Sequence, residues 1–502
     1  MEMLTEDQRY AAICARDARF DGVFFTCVRS TGIFCLPSCP SRTPRRDRVE
    51  FAPSAAAAVE RGYRACKRCG PLAPPGAAPA EAAGSLSTRA LELISAGALD
   101  PRPDGAVHVA DLAARLHVTE RTLHRALVGA TGSGAIAHAR LARARRAHDL
   151  LTRTSWPLAE ITAASGFGSE RQLHETLIRI YGRPPSAIRG SAPAAPRPST
   201  TDVAVVDAAL AVRRPFHGEG LARWFAAREI PGVEHVEDLR WRRAVPLPHG
   251  PAVLEVDLGV PRGPLPLTAR LSDPRDLAAA VGLARRMLDL EADPVGIDAG
   301  LRASLPLLAP LLDARPGVRL PGTPSLAEAL LWAVVGQQIT TDRARALLTS
   351  ATDLLGTALP EAMRDEHIHR LAAAPALAAA RAEEWFRGPG ARRRALTDLL
   401  ADPPDPHLPL PELRVQLLAR RGIGPWTADY ALLRGARAID AAPARDVALL
   451  AAARDLGLAE DFSSMQEALA AASPWRSYAV MHLFHHRDTL PAERRTLRKD
   501  RP

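Results

Sequence analysis

Two pairs of cysteines near the start of the chain, Cys35-x3-Cys39 and Cys66-x2-Cys69, have the spacing of short metal-binding knuckles. Four thiolates so placed can close a tetrahedral zinc site. All six cysteines lie in the first 69 residues, and Cys14 and Cys27, without partners at ligand spacing, are expected to be buried free thiols. The N-terminus lacks the layout of a secretion signal, which favours metal ligation over a disulfide framework. A second stretch able to do chemistry runs from Leu413 to Asp446. Its centre, Arg421-Gly422-Ile423-Gly424-Pro425-Trp426, separates two helical segments, Pro411 to Ala419 and Pro425 to Leu433. Glycines are expected there because the backbone must take positive φ and come close to a partner, and Pro425 suits the first turn of a helix. The free N–H groups of that helix start, with the positive end of its dipole, offer a seat for phosphate. Taken alone, Gly-x-Gly is also what an ordinary interhelix turn needs. Three carboxylates lie nearby: Asp429 inside the second helix, where a solvated or helix-end charge is expected, Asp440 in a loop, and Asp446, twenty residues after Trp426 and followed by a helical Val447-Ala-Leu-Leu.

The elements that must position these groups can be read in outline. Between the cysteine pairs run a strand, Val49 to Phe51, and a helix, Ser54 to Arg61, with Arg42, Arg45, Arg46, Arg48, Lys67 and Arg68 around the site as candidate phosphate contacts. Pro71 to Ala83 is a linker by composition. Residues 109–129 describe a helix-turn-helix, with a turn at His117-Val118 and an N-cap at Thr119. Residues 158–181 repeat the plan, with a turn at Gly166-Phe167-Gly168 and a Ser169-x-x-Gln172 capping box. A long basic amphipathic helix, Ile136 to Leu151, joins them and carries Arg140, Arg143, Arg145 and Arg146. The first recognition helix offers Glu120, Arg121, His124 and Arg125 to a major groove, the second Glu170, Arg171 and His174. Ala192 to Thr201 is a second linker. Beyond it come strand-like runs, VAVVDAAL, DLRWRRAVPL and AVLEVDLGV, with helices around Gly220 to Arg228 and Leu277 to Leu290. From Leu311 the pattern is almost wholly helical, with a break at Gly336-Gln337-Gln338.

At 502 residues the chain has material for several cores, and its formal net charge of +9 points to a polyanionic partner. No apolar run reaches the length of a membrane span, so the expectation is a cytoplasmic, nucleoid-associated protein with no membrane partner.

Through TGIFCLPSCPSR and GYRACKRCGP, the first segment resembles the zinc-bearing N-terminal domain of the Ada adaptive-response regulator family. That resemblance implies Zn2+ held by Cys35, Cys39, Cys66 and Cys69, with Cys35 as the irreversible acceptor of a methyl group from a methylphosphotriester. The two helix-turn-helix units, closed by GRPPSAIR, resemble the AraC-type regulator domain. AVRRPF, ARWFAAREIPGVE and RRMLDLEADP resemble the N-terminal domain of AlkA-type 3-methyladenine DNA glycosylase II, read here as scaffold. The Leu413 to Asp446 stretch resembles the helix-hairpin-helix DNA glycosylases. By that resemblance, Arg421, Gly422, Ile423 and Gly424 grip backbone phosphate and Asp446 is the catalytic carboxylate. Trp426, Tyr430 and Phe484 match pocket positions, and Gln338 lies near the gap left by an extruded nucleotide. Trp426 stands where lyase-competent relatives carry a nucleophilic Lys, which implies a monofunctional enzyme.

The expected fold is multidomain and mainly α. It comprises a small four-cysteine zinc α+β domain (1–75), an all-α double helix-turn-helix domain (84–190), an α+β, TBP-like glycosylase N-terminal domain (201–310) and an all-α helix-hairpin-helix domain (311–495). The expected function is a DNA glycosylase for alkylated bases fused to a methyl-triggered transcription activator. It would act as a monomer on duplex DNA, with promoter DNA and RNA polymerase as further partners. The alternative is a DNA-binding regulator whose glycosylase part binds damage without cleaving it.

Overall fold

The structure is a computed structural model, and it describes residues 4–17, 20–72, 85–101, 108–154, 156–189 and 203–490. Most of the first linker and all of the second lie outside the described residues. The chain divides into two compact units. One holds residues 1–212, 247–250 and 266–282, and the other residues 213–246, 251–265 and 283–502.

In the first unit, four short strands form one sheet in the order Val49–Ala52, Phe25–Val28, Ile33–Cys35, Arg64–Ala65. Phe25–Val28 runs antiparallel to both neighbours, pairing Thr26 with Cys35 and with Phe51, while Ile33–Cys35 runs parallel to Arg64–Ala65. Both faces of the sheet are covered, so burial does not alternate: Phe25, Cys27 and Phe34 are buried on one face, Thr26 and Phe51 on the other. Helix Glu6–Cys14, closed at its start by a Thr5/Gln8 capping box, adds Ala12 and Ile13 to a core with Phe24, Val49 and Phe51. Cys14, its last residue, is exposed. The expectation of a buried thiol fails there because burial of Ala12 and Ile13 turns the helix end outward. Cys27 is fully buried, as expected.

Both helix-turn-helix units form where the pattern places them, as helices Val109–Arg115 with Glu120–Thr131, and Leu158–Ala164 with Glu170–Tyr181. Thr119 caps the first recognition helix by accepting from the Thr122 amide. Ser169 caps the second, but the Gln172 side chain accepts from the Gly168 amide, 3.3 Å away, so the capping box closes one residue early. The joining helix spans Ala135–Arg153. Two of its arginines serve the fold: Arg143 is buried, and Arg146 makes an ion pair to Asp100 at 2.6 Å. At Gly166, with φ +78°, a Cβ would stand 2.5 Å from the Asp100 carboxyl carbon, so only glycine lets this turn close over that ion pair. Strand Ala204–Leu210 pairs with Leu265–Leu271, where Thr268 donates to Asp207.

In the second unit, strands Glu234–Glu237 and Arg240–Leu247 pair antiparallel through a two-residue turn, Asp238-Leu239. Both turn residues have positive φ, as the turn matching strand twist demands. The sequence reading missed Glu234–Glu237 and Leu265–Leu271 and began the next strand inside this turn. A buried charge cluster backs the pair: Arg243 bridges Glu234 and Glu328, and Trp241 donates to Glu234. From Ala309 onward the described residues are helices joined by loops, with isolated bridges and a 3-10 turn in the long connection between Leu355 and Pro375, around a core with Leu330, Leu396, Leu413, Leu432, Leu449 and Leu483.

Candidate functional site

The four predicted metal ligands are brought together, with one ligand atom from each of Cys35, Cys39, Cys66 and Cys69 within 4.8 Å of the others. Backbone geometry does this. The Cys66 amide donates to the Phe34 carbonyl at 3.0 Å, which sets the two knuckles side by side, and Cys39 and Gly70 close turns onto Leu36 and Cys66. The sulfurs compete for protons. The hydrogen bond with Cys69, followed by burial, holds the Cys35 thiol far above its usual range, while the same bond draws Cys69 down to about 6. A dication resolves that competition by taking all four as thiolates, so the donor set fits zinc. Cys66 is buried and Cys35 partly exposed. Of the surrounding cations, Arg45 pairs with Asp47 at 3.3 Å and Arg46 with Glu6 at 2.7 Å.

On the recognition helices, Arg121, His124, Arg125, Arg171 and His174 all point to solvent. Arg171 is 88% exposed and makes an i,i+4 pair with Glu175.

The hairpin forms as helices Leu410–Leu418 and Pro425–Gly435. Gly422 has φ +82°, and a Cβ there would lie 2.7 Å from that of Ala395. Gly424 has φ −92° and open space around it, so positive φ explains only the first glycine. Ile423 is buried, and Arg421 is exposed. Asp429 is buried and paired with Arg414 at 2.6 Å, which ties the two helices together, so it is neither solvated nor at a helix end. Gln337, which sequence reasoning passed over, donates to the Gly422 carbonyl at 3.0 Å and to Thr427 at 2.9 Å. Its neighbour Gln338 is exposed with φ +60° and accepts from Arg392 at 3.4 Å.

Asp446 caps helix Val447–Asp455. Its Oδ1 accepts from the amides of Ala448 and Leu449, at 2.8 and 3.0 Å, and its Oδ2 accepts from Trp426 Nε1 at 2.7 Å. Asp446 is 9% exposed. The loop leading to it is stapled from behind, because buried Ser477 Oγ donates to the Ala438 carbonyl and accepts from the Ala441 amide, while Asp440 makes a two-pronged ion pair with Arg476.

Trp426 stacks on Tyr430 with ring centroids 5.1 Å apart and planes 8° from parallel. Phe484 packs instead on Trp224, 5.6 Å away. Two guanidiniums connect the pairs. Arg228 lies 3.5 Å over Trp224, and Arg434 lies within 6 Å of both Trp224 and Tyr430 and donates to the Tyr430 hydroxyl. Burial pushes the Tyr430 phenol up, but the two cations more than offset it and bring it below its usual value. Trp224 and Arg228 come from the region read as mere scaffold, inside ARWFAAREIPGVE. No spacing in the sequence signals their partnership with residues some two hundred positions away.

Against known families, residues 8–71 match the metal binding domain of Ada, residues 112–191 a helix-turn-helix domain, and residues 207–325 the AlkA N-terminal domain. The chain is 38% identical over 492 residues to the "Probable bifunctional transcriptional activator/DNA repair enzyme AlkA" of Mycobacterium tuberculosis, covering 95% of each chain. It is 50% identical over 68 residues, 14% of this chain and 19% of the other, to the "Bifunctional transcriptional activator/DNA repair enzyme Ada" of Escherichia coli. It is 28% identical over 295 residues, 56% of this chain and 97% of the other, to "DNA-3-methyladenine glycosylase 2" of the same organism. With that order of domains and that coverage, the chain belongs to the family of bifunctional proteins that join an Ada-like zinc and helix-turn-helix half to an AlkA-like DNA glycosylase half.

Proposed function

We propose that the AlkA-like half is a monofunctional glycosylase that hydrolyses the N-glycosidic bond of alkylated bases of the 3-methyladenine and 7-methylguanine type in duplex DNA. Breaking that bond builds positive charge on the sugar, and an anion beside C1′ stabilises the transition state. Asp446 is the group for this role. The observation that carries the reading is the hydrogen bond from Trp426 Nε1 to Asp446 Oδ2, which ties the carboxylate to the stacked aromatic pair at the start of the hairpin's second helix. An extruded cationic base would be favoured over a normal one by the electron-rich faces of Trp426, Tyr430 and Phe484. Arg421, Gly422, Ile423 and Gly424 would hold phosphate, with Gln338 facing the vacated position. Water, oriented by Asp446, takes the place of the base. Trp426 at the position of the lyase lysine leaves no amine there for a Schiff base, so the product is an intact abasic strand.

In the Ada-like half, Cys35, Cys39, Cys66 and Cys69 would hold zinc, which when bound would keep the four sulfurs as thiolates. Cys35 Sγ attacks the methyl carbon of a methylphosphotriester. The S–C bond forms as the C–O bond breaks, and the phosphodiester oxygen leaves with the electron pair. The site charge changes from −2 to −1, and repulsion from DNA falls. Promoter binding then uses Arg121 and Arg125 in one groove and Arg171 and His174 in the next, with Arg45 on phosphate. We assign the zinc domain to residues 1–75, the double helix-turn-helix to 84–190, and the glycosylase domains to 201–310 and 311–495. The protein acts in the cytoplasm as a monomer with RNA polymerase as its partner. The test is incubation with methylated duplex DNA followed by borohydride. Free methylated base with no trapped protein–DNA adduct is expected, whereas an adduct would overturn the monofunctional reading.

A further inference from the structure

The segment from Leu413 to Asp446 carries six arginines, and the fold uses four of them. Arg414 pairs with Asp429, Arg420 pairs with Asp402, Arg434 is buried against Tyr430 and the Pro321 carbonyl, and Arg437 is also engaged within the protein. Arg421 and Arg445 remain, both exposed and without a partner among the described residues. Arg421 is already a hairpin residue. Arg445 is different in kind: it directly precedes Asp446 and has φ +58°, in the left-handed region where glycine rests without strain and a side chain does not. Strain held at a site that the surrounding structure over-determines is a pointer to function. Here the over-determination is visible. Asp446 is pinned on three donors in front, and Ser477 and the Asp440–Arg476 pair pin the loop behind. The backbone at Arg445 is thus held on both sides, and its side chain is exposed at the position directly before the carboxylate.

Resting on the glycosylase reading above, we infer that Arg445 is a DNA-binding residue whose guanidinium takes a backbone phosphate of the damaged strand beside the extruded nucleotide. The ligand is an anion with paired oxygens, which a planar guanidinium matches, and the carboxylate of the adjoining residue, Asp446, is already occupied by three N–H donors. Charge supports this choice, since a polyanion must approach Asp446 closely and a neighbouring free cation offsets the repulsion. Sequence reasoning passed over Arg445 because nothing in PARDVALL marks its backbone conformation.

The test uses the full chain and a short duplex with one methylated base, under single turnover. Half-saturation of base release then reads engagement of this site even though other domains also bind DNA. For Arg445→Gly, which keeps the left-handed backbone, the half-saturating protein concentration rises about tenfold and the slope of its logarithm against log salt falls by about 0.9. Arg445→Lys recovers most of the slope and part of the affinity. An unchanged half-saturation and salt slope in Arg445→Gly overturns the proposal, as does a fall confined to the plateau rate, which would mean that the residue acts through the backbone of Asp446. Should the wild-type protein release no base, the glycosylase reading fails separately. The same two variants would then be compared for preferential binding of a duplex carrying an abasic-site analogue, where loss of preference in Arg445→Gly supports the contact and equal preference removes it.

Discussion

The thiolate cluster and the carboxylate site solve opposite problems. At the cysteines, four like-charged groups crowd within 4.8 Å and need a cation to coexist, and Cys35 would be consumed in the reaction assigned to it. At Asp446 a single anion is held by one indole and two amides, and nothing in the assigned reaction alters it. The first arrangement is local, built from two knuckles at the ends of adjacent strands that are close in sequence. The second is assembled from parts spread from Trp224 to Phe484. A site that reacts once needs only its own ligands, whereas one that must turn over needs a frame that restores the same geometry after each release.

Breaking either centre separates the two activities. Cys66→Ser removes a buried ligand, and since structural zinc contributes on the order of 10 kcal/mol to folding such small domains, methyl uptake by the protein should vanish while base release persists. Loss of both together would mean that the halves do not work separately. Asp446→Asn should cut base release by about 10²–10³-fold with DNA binding kept, as removal of one preorganised transition-state group does elsewhere. Trp426→Phe keeps an aromatic face and deletes the donor to Oδ2. A hydrogen bond to a charged group is worth about 1.5–3 kcal/mol, so a loss of roughly 10- to 100-fold in base release is expected, with methyl uptake unchanged.

A pH series sharpens the contrast. Burial holds the His482 and His485 imidazoles down to about 3, well below the usual histidine value. The unfolded chain therefore takes up these protons first. The contribution is fully present above about pH 6.5 and is lost as pH falls from there toward 3, at up to about 2.7 kcal/mol per pH unit for two protons. Tryptophan fluorescence is a suitable monitor, because six of the seven tryptophans (Trp224, Trp241, Trp332, Trp385, Trp426 and Trp475) lie in the second unit. An unchanged unfolding midpoint between pH 7 and 5 would contradict the neutral burial of these rings. The smallest effect separates the hairpin glycines. Gly422→Ala forces a strained backbone and a contact with Ala395, costing roughly 1–3 kcal/mol, whereas Gly424→Ala leaves the melting temperature unaltered.

The same contrast governs how much could be read from the sequence. The zinc ligands were legible because chelation imposes short spacings, and the recognition helices because caps such as Thr119 and Ser169 and apolar periodicity are local signals. The hairpin was legible for the same reason. Asp446 could be picked out among three carboxylates only by resemblance, and its hydrogen bond to Trp426 could not be foreseen, since the side chains meet through tertiary packing across twenty residues. Asp429 misled because its position in a helix says nothing of Arg414 on the facing one. Strand Glu234–Glu237 was missed because its turn lacks glycine, with Asp238 and Leu239 taking the positive φ instead. The cations on Trp224 and Tyr430 were invisible, because cation–π contacts leave no periodicity behind.

Two separate chemical centres on one chain can be read out together with a single DNA preparation carrying both methylphosphotriesters and methylated purines. Acid-stable methyl transfer to the protein and release of free 3-methyladenine and 7-methylguanine are measured together for the wild-type protein, Cys35→Ala and Asp446→Asn. Each variant is expected to lose one product and keep the other. Loss of base release in Cys35→Ala, or of methyl transfer in Asp446→Asn, would contradict it.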